Sequence, residues 1–223
     1  MQLLEAQEKS VIKLPPYNLP STATALPNKK YEYLLLLSPY GFVREKIITE
    51  KKHFSQAYGN ADATHSLPHL TLANFILSNS SEDIITHQLS TIAQSSNRIK
   101  VILENYNWFP HHTIYIDVKY KVDIKQLVRK ITLSIRRYIK ADNEYPPHFI
   151  LTPHLTICKR LNIEQYEKSL VEYRGQNFSD EFTANEMLLL RRPITEPATY
   201  KEVGRFEFGG SEVCDTTTQL RLF

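Results

Sequence analysis

The sequence predicts an α+β fold made of two similar lobes. The first observation is a pair of nearly identical pentapeptides, Pro68–Leu72 (PHLTL) and Pro153–Ile157 (PHLTI). The second is their setting, because each lies in a predicted strand that follows one helix and precedes another. We therefore expect a duplicated, two-lobed α/β sandwich with pseudo-twofold symmetry. Each lobe would be an antiparallel-rich sheet with helices outside, and a cleft would separate the lobes.

Four elements make up the first half of this fold. Tyr31–Leu37 is an apolar run with the length and composition of a buried strand. Serines at 80 and 81 precede two acidic residues, which is typical of a helix N-terminus. In order, we predict a strand over 31–37, a helix over 43–58, a strand over 69–77 and a helix over 82–95.

The second half repeats this alternation. Apolar residues between 122 and 140 recur at helical spacing, with basic residues on the opposite face. Residues 108–112 (WFPHH) are expected to form a loop between two strands. In order, we predict strands over 99–106 and 113–118, a helix over 122–140, a strand over 154–158, a helix over 163–173 and closing strands over 186–190 and 205–208.

The two-lobed body is predicted to span residues 30–208 as a single domain. Residues 1–29 contain four prolines and little periodicity, which predicts an irregular N-terminal arm. Residues 209–223 follow the last strand and are predicted to form a separate C-terminal tail, with Gly209-Gly210 as a flexible joint.

The composition is that of an ordinary globular protein, with 42% apolar and 23% charged residues. The 27 basic residues barely exceed the 24 acidic ones, which permits a phosphate-bearing ligand but does not indicate an extended nucleic-acid groove. Two cysteines, Cys158 and Cys214, indicate a reducing compartment. No apolar run approaches the roughly 20 residues of a membrane-spanning helix. We expect a cytoplasmic monomer that does not contact a membrane.

The two pentapeptides carry the candidate chemistry. Because side chains alternate faces along a strand, His69 and Thr71 project to one side, and His154 and Thr156 do the same in their strand. Two such strands facing each other would gather two imidazoles and two hydroxyls, which suits acid–base chemistry on a phosphate. One histidine and one threonine two residues apart in a strand ordinarily have only a structural role, since Thr is common in strands. Two pairs at matching positions of a duplicated plan favour a catalytic site.

The two His-x-Thr-x motifs, His69–Leu72 and His154–Ile157, resemble the signature of the 2H phosphoesterase superfamily, which includes the bacterial 2′-5′ RNA ligases and cyclic nucleotide phosphodiesterases. The resemblance covers residues 31–208. It implies a metal-free reaction on a 2′,3′-cyclic phosphate or a related phosphodiester, with an RNA 3′ end or a small nucleotide as substrate. It also implies that the histidine of the second motif is the base and that of the first motif the acid.

The chemistry of imidazole is compatible with this resemblance. Its reference pKa near 6.5 lets one histidine be neutral while the other is protonated at neutral pH. The neutral histidine would take a proton from water and the charged one would give a proton to the leaving ribose oxygen. Each transfer is typically worth about 10²–10⁴-fold in rate. Thr71 and Thr156 would donate hydrogen bonds to the non-bridging oxygens, where charge develops.

A metal site is the alternative for a chain with eight histidines. His65 and His69 are four positions apart, and His111 and His112 are adjacent. Pro68 disfavours a helix that would carry His65 and His69 on one face. No cysteine or carboxylate cluster lies at ligand spacing with them. We therefore predict no metal and no other cofactor.

Cations near the ends of two strands are candidates for phosphate binding. Lys159 and Arg160 follow the second motif, although a solvated strand end is an equally good interpretation. Asn74 occupies the matching place after the first motif, so any cationic contribution is asymmetric. Arg191 and Arg192 end another strand and are similar candidates.

Three aromatic residues are candidates for stacking on a base. Trp108, Phe109 and Tyr145 lie in predicted loops, where an exposed ring is able to contact a nucleotide. Most aromatic side chains belong to the core instead.

Three functions stay open at the level of sequence. The leading hypothesis is a phosphodiesterase that hydrolyses a 2′,3′-cyclic phosphate to a 2′-phosphate. The second is a module that binds an RNA end or a nucleotide without turnover, against which two intact His/Thr pairs argue. The third is a 2′-5′ RNA ligase, for which no nucleotide-activating lysine motif is evident.

The C-terminal pentapeptide 219–223 (QLRLF) resembles the short peptides by which bacterial proteins dock to the DNA polymerase sliding clamp. In that mode Leu222 and Phe223 would fill an apolar pocket, and Gln219 would make polar contacts beside it. The alternative, in which Leu220, Leu222 and Phe223 pack on their own domain, is the one we favour.

Overall fold

The computed structural model of the chain describes residues 29–139, 145–195 and 198–210. Residues 1–28 of the predicted arm and the clamp-like pentapeptide therefore lie outside the described residues. Within the described ranges the fold is α+β, with nine strands in one antiparallel sheet and four α-helices. No helix in these ranges has the length and apolar character needed to cross a membrane.

The elements follow the predicted alternation of strands and helices. The strands are β1 (Lys30–Leu37), β2 (Leu70–Ser78), β3 (Ile99–Phe109), β4 (Thr113–Val118), β5 (His148–Phe149), β6 (His154–Lys159), β7 (Ser179–Ala184), β8 (Glu186–Pro193) and β9 (Lys201–Glu207). The helices are α1 (Gly41–Tyr58), α2 (Glu82–Gln94), α3 (Val122–Ile135) and α4 (Ile163–Tyr173).

Local chemistry explains where several helices begin and end. The side chain of Asn162 accepts a hydrogen bond from the backbone of Gln165, whose own side chain returns to the Asn162 backbone, so a capping box begins α4. Gly59 ends α1 in the left-handed conformation, at a φ of 64°, which a residue without Cβ adopts at little cost. Glu82 and Asp83 lie in the first turn of α2, where acidic groups favour the helix dipole.

The sheet consists of two four-stranded halves that meet at a single backbone pair. The strand order is β7-β3-β4-β6-β2-β1-β8-β9, and the short β5 pairs with β2. Between β6 and β2 the pairing is limited to Leu70 and Leu155. Both leucines are fully buried. The predicted fold class is confirmed, and the two lobes prove to be halves of one continuous sheet.

The helices are exchanged between the halves. The helix α1 follows β1 but packs against β6, β7 and α4 of the other half. In the same way α3 follows β4 but packs against β2 and α2. Each half therefore carries one helix whose preceding strand belongs to its neighbour, and the two halves cannot separate without breaking both packings.

One predicted loop is shorter than expected, and one strand was not predicted. The prediction of a loop over 108–112 was wrong, because β3 and β4 stay paired up to Phe109 and Thr113. A tight turn suffices there, with His111 at a φ of 65°. The prediction also missed β7, whose sequence SDEFTA is mostly polar because this edge strand buries one face.

Two element ends also differ from the prediction. The helix α3 ends at Ile135 and is followed by a short 3-10 turn over Arg136–Tyr138, instead of continuing to 140.

The Gly209-Gly210 pair is not a flexible joint. The backbone N–H of Gly209 donates to Ala93 and that of Gly210 to Ser96, and a Cβ on Gly209 would lie 2.3 Å from a backbone oxygen of Gln94. The close backbone approach is what requires glycine, so the folded body extends to residue 210.

We predict that Leu155→Ala destabilises the protein by about 2–5 kcal/mol, because it opens a cavity at the junction of the halves. The measurement is urea unfolding followed by circular dichroism. The control is Val171→Ala on α4, whose side chain is 82% exposed, for which we expect a change within about 0.5 kcal/mol. Equal effects of the two changes would contradict the importance of the junction.

Candidate active site

Both motif histidines are held in the same way by the backbone that precedes them. Nδ1 of His69 lies 2.7 Å from the carbonyl oxygen of Leu67, and Nδ1 of His154 lies 2.7 Å from that of Thr152. A carbonyl oxygen only accepts, so Nδ1 carries a proton in both rings. The remaining nitrogen, Nε2, is then the one available for proton transfer. A buried proline separates each histidine from its carbonyl partner in sequence.

The junction of the two halves brings the motifs together. Because Leu70 pairs with Leu155 in antiparallel register, His69 lies across from Thr156, and Thr71 lies across from His154. The two leucines point into the core, so the histidines and threonines share the opposite face of the sheet. One small surface thus carries two imidazoles and two hydroxyls, as the sequence predicts.

Matching β-bulges follow the two threonines. Thr71 and Asn74 pair with Leu36 and Leu34 of β1, which are two residues apart and so lie on one face. The register shift between β4 and β6 has the same effect on the other side, where Thr156 and Lys159 pair with Tyr115 and Thr113. Asn74 and Lys159 therefore join the face of the histidines at equivalent positions.

Two aromatic rings surround His154. The ring centroids of Phe109 and Tyr115 lie 4.9 Å and 5.0 Å from that of His154, with Phe109 perpendicular to the imidazole. Phe109 and Tyr115 also contact each other, at 4.6 Å between centroids. These contacts hold the imidazole in a defined orientation and shield one side of it from water. Phe109, predicted as a loop residue that stacks on a base, thus lies at the end of β3 beside the imidazole of His154.

A buried lysine lies behind the site. Lys51 of α1 is 4% exposed. Its Nζ donates to the carbonyl oxygen of Thr156, at 3.3 Å, and to Oγ of Ser66, at 3.4 Å. No carboxylate among the described residues pairs with this ammonium, and burial lowers its pKa to about 8. Lys51 therefore fixes the backbone of the second motif and places a positive charge beside the first.

The pKa values of both histidines are lowered, mainly because burial disfavours the charged imidazolium. The charges around the two rings differ. Lys51, Lys159 and His154 lower the pKa of His69 further. Asp117, which pairs with His154 across β4 and β6, acts in the opposite direction on the pKa of His154. Neighbouring charges therefore all disfavour the imidazolium of His69, whereas at His154 Asp117 favours the imidazolium and Lys121, the ion-pair partner of Asp117, disfavours it.

Two predicted binding residues have other contacts. Arg160 forms a two-pronged ion pair with Asp62, at 2.6 Å from Nε and 2.9 Å from Nη2. Trp108 pairs with the buried Ile114 and lies on the opposite face of β3 from Phe109. Its ring lies 5.3 Å from the guanidinium carbon of Arg174. The contacts of Arg160 and Trp108 favour structural roles, because side chains alternate along β3 and the donors of Arg160 are already engaged.

Tyr145 borders a cavity of about 560 Å³ whose lining residue nearest in sequence to the first motif is Asn74. Asn74, His148 and Arg192 also line it. Arg192 donates to Glu32 at 2.6 Å, and Asn74 donates to the same carboxylate at 2.9 Å. The cavity therefore continues from the face of Thr71 along β2 into a polar network. Arg191 lies elsewhere, paired with Glu82.

Sequence reasoning missed Lys51, Tyr115 and Asp117. A signal existed for Lys51, because it occupies an apolar stripe of α1 with Val43, Ile47 and Phe54. A lysine at a core position of a helix is unusual and marks a special environment. Tyr115 and Asp117 carry no such signal, since their position depends on the pairing of β4 with β6. Within the described ranges no group of three or more His, Cys, Asp and Glu residues is placed to hold a metal ion.

Comparison with protein families decides the relationship. A profile of the 2′-5′ RNA ligase superfamily matches residues 43–194, which is more than half of the chain. The chain belongs to the 2′-5′ RNA ligase superfamily. The predicted family is thereby confirmed, and with it a relationship to phosphoryl-transfer enzymes. Comparison with curated protein sequences gives no match.

Solved structures share the fold of this superfamily member. E. coli LigT in apo form has a TM-score of 0.58 at 16% sequence identity, over 81% of this chain and 98% of LigT. E. coli LigT complexed with 3′-AMP has a TM-score of 0.54 at 14% identity, over 81% and 99%. The MHV ns2 PDE domain has a TM-score of 0.51 at 12% identity, over 73% and 99%. At sequence identities of 12–16%, these comparisons show that the fold is similar.

We predict that Lys51→Met raises the pKa of His69 while that of His154 stays nearly unchanged. The buried charge is removed but the burial of His69 remains, so the pKa rises only part of the way to the ordinary value of 6.5. The measurement is an NMR titration of the histidine Cε1–H signals. Lys51→Arg keeps the charge and should preserve the low value, and Lys52→Met on the exposed side of α1 is the control. An unshifted His69 in Lys51→Met would exclude this electrostatic role.

Proposed function

We propose that the protein is a metal-independent phosphodiesterase that opens a 2′,3′-cyclic phosphate to a 2′-phosphate by paired-histidine acid–base catalysis. The observation that carries this proposal is the pair of Nδ1-anchored imidazoles on one face of the β2–β6 junction. Each imidazole belongs to a residue that lies across the strand pair from the threonine of the other motif. The substrate class is an RNA 3′ end or a small nucleotide.

The charges around the two rings suggest their roles. His69, beside Lys51 and Lys159, favours the neutral form and is suited to take a proton from the attacking water. His154, beside Asp117, is better suited to carry the proton that the leaving ribose oxygen receives. This assignment is the reverse of the one that the family resemblance implies, and it depends on the residues that surround the rings in this chain.

The threonines and Lys159 would stabilise the phosphate. Thr71 and Thr156 are placed on either side of the histidines, so their hydroxyls are able to donate to the non-bridging oxygens as charge develops. Lys159 shares the face of Thr156 and supplies a cation on one side, whereas Asn74 supplies a neutral amide on the other. The phosphate is therefore expected to lie closer to the second motif.

The nucleoside would lie along β2. The cavity beside Asn74 offers hydrogen-bonding groups from Asn74, His148 and Arg192, and Tyr145 at its border offers an aromatic ring. Binding of 3′-AMP by the structurally similar E. coli LigT supports a nucleotide as ligand. Phe109 and Tyr115 favour an apolar boundary around His154 on the opposite side.

Ligation is the second candidate activity, because the same pair of histidines is able in principle to activate a 5′-hydroxyl in place of water and the superfamily carries the name of 2′-5′ RNA ligases. The 5′ oxygen would bond to the phosphorus of the cyclic phosphate, the bond from phosphorus to the 3′ oxygen would break, and the 3′ oxygen would take the proton, which leaves a 2′-5′ linkage. Incubation of the protein with a cyclic-phosphate end and a 5′-hydroxyl end, followed by product analysis, separates hydrolysis from ligation.

We expect His69→Ala and His154→Ala each to lower kcat/KM for a 2′,3′-cyclic nucleotide by about 10²–10⁴-fold, because each removes one proton transfer. The assay contains EDTA, since the proposed reaction needs no metal. His87→Ala on the exposed surface of α2 is the control and should retain full activity. Turnover that survives either motif change, or that EDTA abolishes, would exclude the mechanism. Binding of the nucleotide without turnover by the unaltered protein would identify a binding module.

We expect the pH profile of kcat/KM to be bell-shaped with its maximum below pH 6.5. This profile reports the free enzyme, in which the pKa values of both histidines are lowered from 6.5. Activity falls at lower pH as the base becomes protonated, and at higher pH as the acid loses its proton; the two apparent values belong to the coupled pair. The kcat profile should be shifted to higher pH, because a bound phosphate favours imidazolium. A maximum of kcat/KM above pH 7 would contradict the proposal.

A further inference from the structure

The outer face of α3 carries basic side chains that lack acidic partners in the part of the chain that the structure describes. Between residues 122 and 138 five basic residues accompany one acidic residue, Asp123. The basic residues are Lys125, Arg129, Lys130, Arg136 and Arg137. Among the described residues, Arg137 contacts the ring of Tyr138, and the other four side chains have neither a hydrogen bond nor an ion pair.

Basic side chains in other elements are commonly matched by acids. Lys46 pairs with Asp180, and Lys100 pairs with Glu181. On α3 the cations instead face solvent together, so their mutual repulsion is not offset by any described carboxylate. Such an arrangement is unfavourable for the free protein and is relieved when an anion binds. The overall charge balance of the chain conceals this local excess.

Arg129 and Arg136 border a groove of about 580 Å³. They are seven residues apart, and Arg136 directly follows the last residue of α3 with helical backbone angles, which places both on one side about 10 Å apart along the axis. The opposite wall is the segment before the second motif, including Pro147, Phe149 and Leu151. This wall is fixed to the sheet, because Phe149 pairs with Ala73 and the N–H of Ile150 donates to the carbonyl of Leu72 at 2.9 Å.

The groove is connected to the candidate active site by His148. This exposed residue lines both the groove and the cavity beside Asn74. Asn74 shares the face of Thr71 and pairs with His148, so these two residues lie between the first motif and the groove.

We propose that the groove beside α3 binds the phosphodiester backbone of a single-stranded RNA whose 3′ end occupies the site of the two histidines. The inference rests on the proposed function, and it selects RNA ends over free cyclic nucleotides as the substrate class. Arg129 and Arg136 contact backbone phosphates. The exposed ring of His148 and the half-buried ring of Phe149 contact bases, in the combination of cations and rings that single strands require.

The test compares two substrates with a double variant, Arg129→Gln/Arg136→Gln. One substrate is a mononucleoside 2′,3′-cyclic phosphate, and the other is an oligoribonucleotide of about eight nucleotides with the same cyclic end, within the usual site size of such grooves. The matched control is Lys52→Gln/Arg98→Gln, which removes the same charge from exposed positions outside α3. All proteins are assayed between about 50 and 200 mM salt.

In the double variant the ratio of kcat/KM for the oligonucleotide to kcat/KM for the mononucleotide should fall by about tenfold at the lowest salt. For the oligonucleotide, the slope of log kcat/KM against log salt concentration should become less negative by about 1.4. This is about 0.7 for each phosphate that an arginine no longer neutralises. The control should keep the ratio and slope of the unaltered protein. An unchanged ratio in the Arg129→Gln/Arg136→Gln variant would overturn the inference.

Binding of the same oligoribonucleotide with a 3′-phosphate, measured by fluorescence anisotropy, separates the two proposals. Weaker binding in the groove variant, together with no turnover of either substrate by the unaltered protein, would sustain the groove and reject the phosphodiesterase. Analytical sedimentation of the protein without RNA tests whether a second copy of the chain occupies the groove instead. A dimer that the groove variant dissociates would overturn the inference in favour of a protein interface.

Discussion

The backbone pair between Leu70 and Leu155 joins the two halves of the sheet, and the rest of the molecule is arranged around it. Burial of two leucines contributes roughly 1.5–3 kcal/mol each at this point. The exchange of α1 and α3 between the halves holds the junction from both sides. Because the pair fixes the register of β2 against β6, it also decides that each histidine faces the threonine of the other motif. A slip of either strand by one residue would turn its histidine and its threonine into the core.

The two motifs have the same backbone and different electrostatic surroundings. In both, a proline precedes the histidine, a carbonyl two residues upstream accepts from Nδ1, and a bulge follows the threonine. The neighbours break this symmetry. Lys51 and Lys159 lie near His69, whereas Asp117 and Lys121 lie near His154. In the proposed acid–base catalysis, this asymmetry would give the two rings separate roles.

Basic residues serve three different purposes in this chain. Lys51 is buried and acts on the backbone of the second motif and on the charge of His69. Arg160 is exposed and ties the end of β6 to Asp62. Arg129 and Arg136 have no described partner and border an open groove. The overall count of charges is the same whichever purpose a residue serves, so composition alone does not distinguish these three uses.

The sequence by itself determined the repeated strand and helix plan, the family, and the four motif side chains, because alternation along a strand and two matching motifs are local properties. Lys51 was visible as a lysine in an apolar helical stripe. The tertiary structure decided the rest. The pairing of β3 with β4 turned a predicted loop into strand and sent Trp108 and Phe109 to opposite faces. The pairing of β4 with β6 brought Asp117 to His154, and helix exchange brought Lys51 behind Thr156. These contacts join residues far apart in the chain, so no local pattern specifies them.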